Sequence, residues 1–477
     1  MSGPSSVPDR PNILLVVLDT ARADHFGPWG ARARTPIFDE LAARGVVVTH
    51  ARSAAPWTVP SHASLFSGLR PFEHGVTGLA AYADDRVVSL APAIGRNADR
   101  WLPAVMRDGG YRTFGISANV WITPPMGFDF GFDVFHPVGP AKIRPRGAEG
   151  VVRRRLVHRL PASIRSRVKG PVRQMQEARN GRDFGSLHAV TAIAAEARRG
   201  DAPFFGFVNI IEPHAPYLPP GGCNPLRGMR RLQGPKLVRR YLMDAHAVAY
   251  NIGAAEIPDD ALATFRELYA GEIAYTDRFL GRMLETLDAN GVLEDTLIVV
   301  TSDHGENLGE DHLIGHQASL DDRLLHVPLV FAGPGAPALP SDKGVFPLTG
   351  VPWMLAQAGG VHGPWEAPGS TAVSQYESGM SRVRKLQAAG DRFHITESQW
   401  SRLRRSIEQA TDGATTVTID SLGAERVEGP VDGAPALRLA IQAARGDRLE
   451  PATQDGDIVP PEQQAEIEAH LADLGYI

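Results

Sequence analysis

Cys223 is the only cysteine in 477 residues, so neither an intrachain disulfide nor a cysteine metal cluster can form. Its surroundings, PPGGCNPLRG, read as a loop, where a lone thiol is more often incidental than catalytic. No window approaches the roughly 18 consecutive apolar residues of a membrane span. The opening MSGPSSVPDR also lacks the apolar run of a secretory signal. These absences predict a cytoplasmic chain with no membrane span and a disordered start over residues 1–10. Strong net charge is missing too: a formal charge of -5 gives no global attraction for nucleic acid. No internal repeat is present.

What is present is enough apolar content, 43%, to bury a large core. Residues 12–18, NILLVVL, form a continuous β-branched run of the kind buried on both faces of a sheet, and the run ends in Asp19-Thr20. Residues 35–45 follow with a Thr-Pro helix start and a Gly stop. The alternation recurs: residues 111–116 lead to Ser117-Ala118-Asn119, and 204–211 lead to Glu212-Pro213-His214. Residues 296–301 lead to Ser302-Asp303-His304-Gly305-Glu306, and 327–331 to Gly333-Pro334-Gly335. Residues 262–290 carry apolar positions at helical spacing. The pattern predicts an α/β fold with a doubly wound, mostly parallel sheet whose strand ends converge on one crevice. We place this catalytic domain at 11–350. Beyond it the buried-strand signal fades into short strands at 371–376, 392–396 and 415–419 and helices at 397–411 and 461–474. That predicts a smaller C-terminal α+β subdomain over 351–477.

Charge is uneven. Residues 142–182 hold Lys142, Arg144, Arg146, Arg153, Arg154, Arg155 and further arginines, while Glu149 and Glu177 are the acids that precede the segment's end. They read either as a solvated insertion or as a cap that draws in an anionic substrate. Aromatic side chains for base stacking are nearly absent there, so nucleic acid is not expected as a partner.

The stretch PWTVPSHASLFSG, residues 56–68, carries the chemistry. Thr58 lies at a helix start, with Pro60 suited to the first turn and Gly68 as the stop. Its hydroxyl is therefore expected beside unpaired N–H groups and the positive helix end, either as a plain cap or in an anion site. Asp19, Thr58, Asp303 and His304 together supply two carboxylates, an imidazole and a hydroxyl, a set able to hold one divalent cation.

Ordered along the chain stand RPNILLVVLDTARADHFGPWG, TPIFDELAARGVVVTHARSAAPWTVPSHASLFSGLRPFEHGV, GYRTFGISAN, GFDFGFDVF, EPHAPY, SDHGENLGEDHLIGH, HVPLVFAGPG and the terminal ADLGYI. On these pieces the chain resembles the sulfatase family of the alkaline phosphatase superfamily. The resemblance covers residues 10–335 and the terminus. It implies an alkaline-phosphatase-like fold, a large mixed sheet flanked by helices, and one metal ion, Mn, Mg, Ca or Zn, held by Asp19, Thr58, Asp303 and His304.

The departures from the family pattern bear on the reaction. Formylglycine-dependent sulfatases carry Cys or Ser at the head of C/S-x-P-S-R, whereas this chain has Thr58-Val59-Pro60-Ser61-His62. Oxidising a threonine would give a ketone, so no formylglycine is expected. Thr20 replaces the second Asp of the usual pair, Asn119 stands near the place of a G-K-W-H element, and His316 falls where many relatives have Lys. The expected activity is hydrolysis of a small anionic ester, a phosphodiester by preference, through a phospho-Thr58 intermediate. His62 and Asn119 would stabilise charge, Thr20 would line the substrate site, and His214 or His316 would protonate the leaving oxygen. Glu212, His214 and His316 form a less favoured second-metal set. Three other readings stay open: a phospho-group transferase, a sulfate-ester hydrolase without formylglycine, and a non-catalytic binding protein.

Overall fold

The computed structural model describes residues 10–77, 82–83, 86–139, 180–339, 344–378, 384–446 and 459–474. Most of the basic segment 142–182 lies outside the described residues, as does the N-terminal start. At the segment's end, the Arg182 guanidinium lies 4.7 Å over the Phe184 ring.

The run read as a buried strand is the centre of the sheet. β1 (Asn12–Leu18) has parallel neighbours on both sides, β5 (Phe204–Ile210) and β6 (Thr296–Thr301). Outward from β5 lie β3 (Arg112–Ser117) and β4 (Val134–Pro137), both parallel. Beyond β6 lie β7 (Leu329–Ala332) and β2 (Val46–Val47), both antiparallel to their neighbours. Among the described residues the result is a seven-stranded mixed sheet in the order β2-β7-β6-β1-β5-β3-β4.

Strand periodicity divides β1 between two cores. Ile13, Leu15 and Val17 face Val59, Ala63 and Phe66 of α2 (Thr58–Ser67). Leu14, Val16 and Leu18 face α1 (Pro36–Arg44) and the 31-residue α4 (Asp259–Ala289), through Phe38, Leu41, Phe265 and Leu268. Helices cover both faces, so no polar alternation survives in the strand, as the continuous apolar run required. Cys223 is buried, and that burial pushes its thiol up, away from the reactive range.

Two expectations are corrected. The segment 327–331 is not a further parallel strand: Val327 pairs with Ala51, and β7 runs antiparallel to β6. The chain leaves β6 at its carboxyl end and re-enters there after the short helix Asp322–Leu325, without a crossover, so it must run backwards. Gly333 accordingly sits against Thr296, at the amino end of β6 and away from the crevice.

The second correction concerns residues 392–411. No strand spans 392–396: the helix Arg384–Arg392 ends there, and Thr396 caps the helix Glu397–Arg404 by accepting from the Gln399 N–H. That helix stops short of 411, because Ile407–Thr411 is a buried strand, β9, paired on both sides. Sheet pairing outweighed a weak helical pattern. The C-terminal sheet runs β8 (Ala372–Tyr376), β9, β10 (Thr416–Asp420), β11 (Glu425–Glu428), all antiparallel, under α5 (Ala434–Gly446). It buttresses the chain that leads into α2. Gln375 N–H donates to Ala54 O (2.8 Å), Ser374 Oγ donates to Ser53 O (2.7 Å), and Arg52 joins Asp322 to Gln409. Val459 and Ile467 pack in the same core as Ile13 and Phe66, so the tail serves the large sheet directly.

Candidate active site

Asp19 follows β1 directly, and Asp303 and His304 follow β6, its neighbour, so both carboxylates stand at one carboxyl edge. Ser302 ties the two strand ends together, with Ala21 N–H donating to its Oγ (2.9 Å). Ligand atoms of Asp19, Asp303 and His304 all lie within 4.8 Å of one another, and all three residues are buried. Thr58 comes from the opposite direction, as the first helical residue of α2. Trp57 holds the cap position and no side chain caps the helix, so the Thr58 hydroxyl is not spent as a cap. Its Oγ1 is 3.4 Å from His304 Nε2. Ser61, one turn on, donates to the Asp303 carbonyl (2.6 Å) and pins the helix start to the end of β6. Gly68, at φ 72°, closes the helix with its N–H on Ser64 O.

These donors fit a divalent cation. His304 Nδ1 donates to Gly305 O (2.9 Å), which leaves the Nε2 lone pair for a ligand. Asp19 Oδ1, Asp303 Oδ2 and the Thr20 hydroxyl are buried and find no hydrogen-bond partner among the described residues. Burial, then the charge of Asp303, pushes the Asp19 carboxyl well above its usual range. Burial likewise raises Asp303 to about 7 and depresses His304 well below an ordinary histidine. Two dry carboxylates and an imidazole that resists protonation are what a cation would relieve.

The other expected site residues fall into place unequally. Thr20 sits at φ 59°, a strained conformation for a β-branched residue. It is held by its N–H on Asp303 Oδ1 (3.2 Å) and by Tyr269 OH donating to its carbonyl (2.6 Å). Asn119 donates from Nδ2 to Asp19 Oδ2 (2.6 Å) and accepts from Trp121 N–H (2.9 Å), so it orients a carboxylate rather than reaching for substrate. His62 is corrected in the same sense. Its Nδ1 meets Thr58 O at 2.9 Å and its Nε2 meets Asn209 Nδ2 at 3.2 Å, and burial lowers it to about 4. A neutral ring with both nitrogens engaged steadies the first turn of α2 and carries no charge to an anion.

His214 and His316 do reach the site: the His316 ring centroid is 4.6 Å from that of His304 and 5.1 Å from that of His214. Glu212 does not join them. Its Oε1 accepts from Ser186 N–H (2.9 Å), at the start of α3 (Ser186–Ala197), and its carboxyl, raised to about 7 by burial and then by Asp183, belongs to a separate acidic group. Among the described residues only the Asp19, Asp303, His304 group qualifies as a metal cluster.

Asn209 is a site residue that the sequence reading missed. The signal was available, since a buried Asn inside FFGFVNI needs a polar partner.

The turn that presents His304 depends on Gly305, whose N–H donates to Leu324 O (2.8 Å). A Cβ built there would stand 1.9 Å from the Arg323 carbonyl oxygen. Gly305→Ala is expected to lower the free energy of unfolding by about 1–3 kcal/mol, read from the denaturant midpoint. An unchanged midpoint would mean that the turn is not constrained as described.

A model of the sulfatase family matches residues 11–346. The chain belongs to the sulfatase family. A sulfatase of Formosa agariphila is 26% identical over 413 residues, 82% of this chain and 77% of that protein. Human iduronate 2-sulfatase is 24% identical, over 71% of this chain, which spans 62% of it. The multifunctional alkaline phosphatase superfamily protein PehA of Trinickia caryophylli is 26% identical, over 68% of this chain and 69% of its own. Among solved structures, a 2-O GAG sulfatase aligns with a TM-score of 0.58 at 17% identity, covering 98% of this chain and 91% of its own. The phosphonate monoester hydrolase of Agrobacterium radiobacter aligns with 0.59 at 18% identity, covering 97% and 96%. The architecture is thus the alkaline-phosphatase-like α/β fold with a small C-terminal sheet, and the protein is a sulfatase-family hydrolase with a candidate divalent-metal cluster.

Proposed function

We propose that this sulfatase-family hydrolase cleaves phosphoesters, phosphodiesters by preference, with Thr58 as its nucleophile. The observation that carries the reading is the Thr58 hydroxyl, free of any capping role and 3.4 Å from His304 Nε2, in the position where formylglycine enzymes carry Cys or Ser. Asp19, Asp303, His304 and Thr58 would hold a divalent cation, which would supply positive charge to ease ionisation of the hydroxyl and to offset charge on the reacting phosphoryl oxygens.

The chain's own residues do the rest. Thr58 Oγ1 gives up its proton and attacks phosphorus in line, the bond to the leaving oxygen breaks, that oxygen takes a proton from the imidazolium of His214 or His316, and the proton shed by Thr58 restores the ring. Water then attacks phospho-Thr58, the P–Oγ1 bond breaks, and Thr58 recovers its hydroxyl. N–H groups of the first turn of α2 lie beside the transferring group. His62 is neutral and Arg22 is tied to Asp24 and Glu310, so these groups bring no spare positive charge. A singly charged diester therefore suits the site better than a doubly charged monoester.

Purified protein assayed with matched nitrophenyl esters tests this. Turnover of a phosphodiester or phosphonate monoester is expected to exceed that of the aryl sulfate by about 10²-fold or more in kcat/KM, a difference of about 3 kcal/mol. A preference for the sulfate would overturn the reading in favour of a sulfate-ester hydrolase.

A further inference from the structure

Between Glu212 and Asp244 the chain carries six lysines and arginines and no acid. Arg227 precedes the helix Gly228–Tyr241 and the other five lie on it; its 14 residues make it about 21 Å long. Gly234, Val238 and Tyr241 form its buried face, at helical spacing. A Cβ built on Gly234 would stand 2.8 Å from Leu226 Cδ1 and 3.3 Å from Leu268 Cδ1, so the glycine lets the helix lie close against α4. The helical repeat puts Met229, Leu232, Gln233, Lys236, Arg239 and Arg240 on the opposite face. All six are exposed, Met229 by 67% and Leu232 by 37%.

The acids next to this face are engaged elsewhere. Glu267 of α4 pairs with Arg230 at its edge (2.6 Å), and Asp244 pairs with Arg392 (2.7 Å). Arg240 lies 5.1 Å over the Tyr241 ring. Among the described residues no ion pair engages Lys236, Arg239 or Arg240.

The helix stands at the crevice end of the sheet. Leu262, in the first turn of α4, lies against Gly309 in the loop that follows His304, and Leu268 and Glu267, which hold the helix, are within two turns of it. From the other side, Tyr217 donates to Glu306 (3.1 Å) in that same loop before the chain runs on to the helix.

A helix face kept only for contact with water mixes charges of both signs and exposes few large apolar groups. Cations of one sign set around two exposed apolar side chains match a boundary where anionic headgroups meet acyl chains. Long basic side chains can lie along such a boundary with their heads on the phosphates. A soluble polyanion would use the cations and leave Met229 and Leu232 in water, and the face has no aromatic ring on which bases could stack.

We infer that the outward face of the helix Gly228–Tyr241 docks the enzyme on an anionic lipid surface, with Lys236, Arg239 and Arg240 on the headgroups and Met229 and Leu232 inserted beside them. The helix lies in the surface plane: no helix among the described residues is long and apolar enough to cross a membrane. Docking brings the crevice end near the headgroups. It is independent of the Thr58 chemistry.

Cosedimentation of the full chain with phosphatidylcholine vesicles, with and without phosphatidylserine, tests this. Binding should need phosphatidylserine and weaken between about 0.1 M and about 1 M salt, as the screening length falls from about 10 Å to about 3 Å. Replacing Lys236, Arg239 and Arg240 together by Gln should weaken it by about 10²-fold. Met229→Ser with Leu232→Ser should weaken it by about 10-fold while the salt dependence persists. Both variants should keep the wild-type Tm and the wild-type turnover of a soluble nitrophenyl ester. In a separate measurement, Met229→Trp should show a blue-shifted emission with phosphatidylserine vesicles and none with single-stranded DNA.

Absence of phosphatidylserine-dependent binding would overturn the inference. So would undiminished binding by the triple Gln variant, or binding lost instead on neutralising Arg153, Arg154 and Arg155. Unchanged vesicle binding by the Met229→Ser, Leu232→Ser variant, with no blue shift from Met229→Trp, would assign the cations to a soluble polyanion and end the lipid assignment.

Discussion

Thr58→Ala is expected to lose about 10⁴-fold or more of kcat while the protein stays folded. The side chain sits on the first residue of a fully buried helix, with Trp57 at the cap and no side-chain cap bond, so its removal takes away no helix-terminal partner. A capping role would predict the reverse pattern, about 1 kcal/mol of lost stability with chemistry intact. Thr58→Ser keeps the attacking oxygen and drops the methyl group, so it should retain part of the activity, with a lower fraction in the productive rotamer. The measurement is steady-state turnover of the best ester from the panel, beside thermal unfolding of each variant. Substantial turnover by Thr58→Ala would remove the covalent intermediate and make water the attacking group.

Asp303→Asn and His304→Ala should each lower turnover by about 10³-fold, or about 4 kcal/mol of transition-state stabilisation. They should also abolish the stabilisation that a divalent ion gives. A ligand present at a hundred times its dissociation constant stabilises the folded state by about 2.7 kcal/mol. The wild type should therefore show a rise in Tm on addition of Mn, Mg, Ca or Zn that chelation reverses, and the variants should not. Without an ion the Asp303 substitution has a second signature. Asp303 and Asp19 crowd each other in a dry site, and burial holds Asp303 near 7. Neutralising Asp303 should therefore leave the metal-free protein no less stable than the wild type, provided the Thr20 and His304 N–H contacts to the side chain survive in the amide. A variant that keeps both wild-type turnover and the metal-dependent Tm would end the metal assignment.

The sequence by itself determined the centre of the sheet and the type of site. A strand buried on both faces must be apolar throughout, so residues 12–18 could be placed from composition alone, and carboxylates at the ends of such strands could be expected to share an edge. Ordered motifs along the chain carried the family. Pairing direction was out of reach: β7 reads like the parallel strands, and only the absence of a crossover reverses it. Local propensity also failed at residues 407–411, where partners on both sides, distant or hairpin-linked, made a strand of a segment with helical composition.

At the site, residue types were legible but their assignments were not. His62 and Asn119 looked like groups for an anion until their nitrogens were found committed to Thr58, Asn209 and Asp19. The contact of Glu306 with His316 stood unremarked within SDHGENLGEDHLIGH, because a cross-strand pair follows from register, and register is fixed only when the hairpin closes. A one-dimensional pattern reports which atoms are available. Hydrogen bonds consume them in three dimensions, so the tertiary structure alone decided which donors and acceptors were left for chemistry.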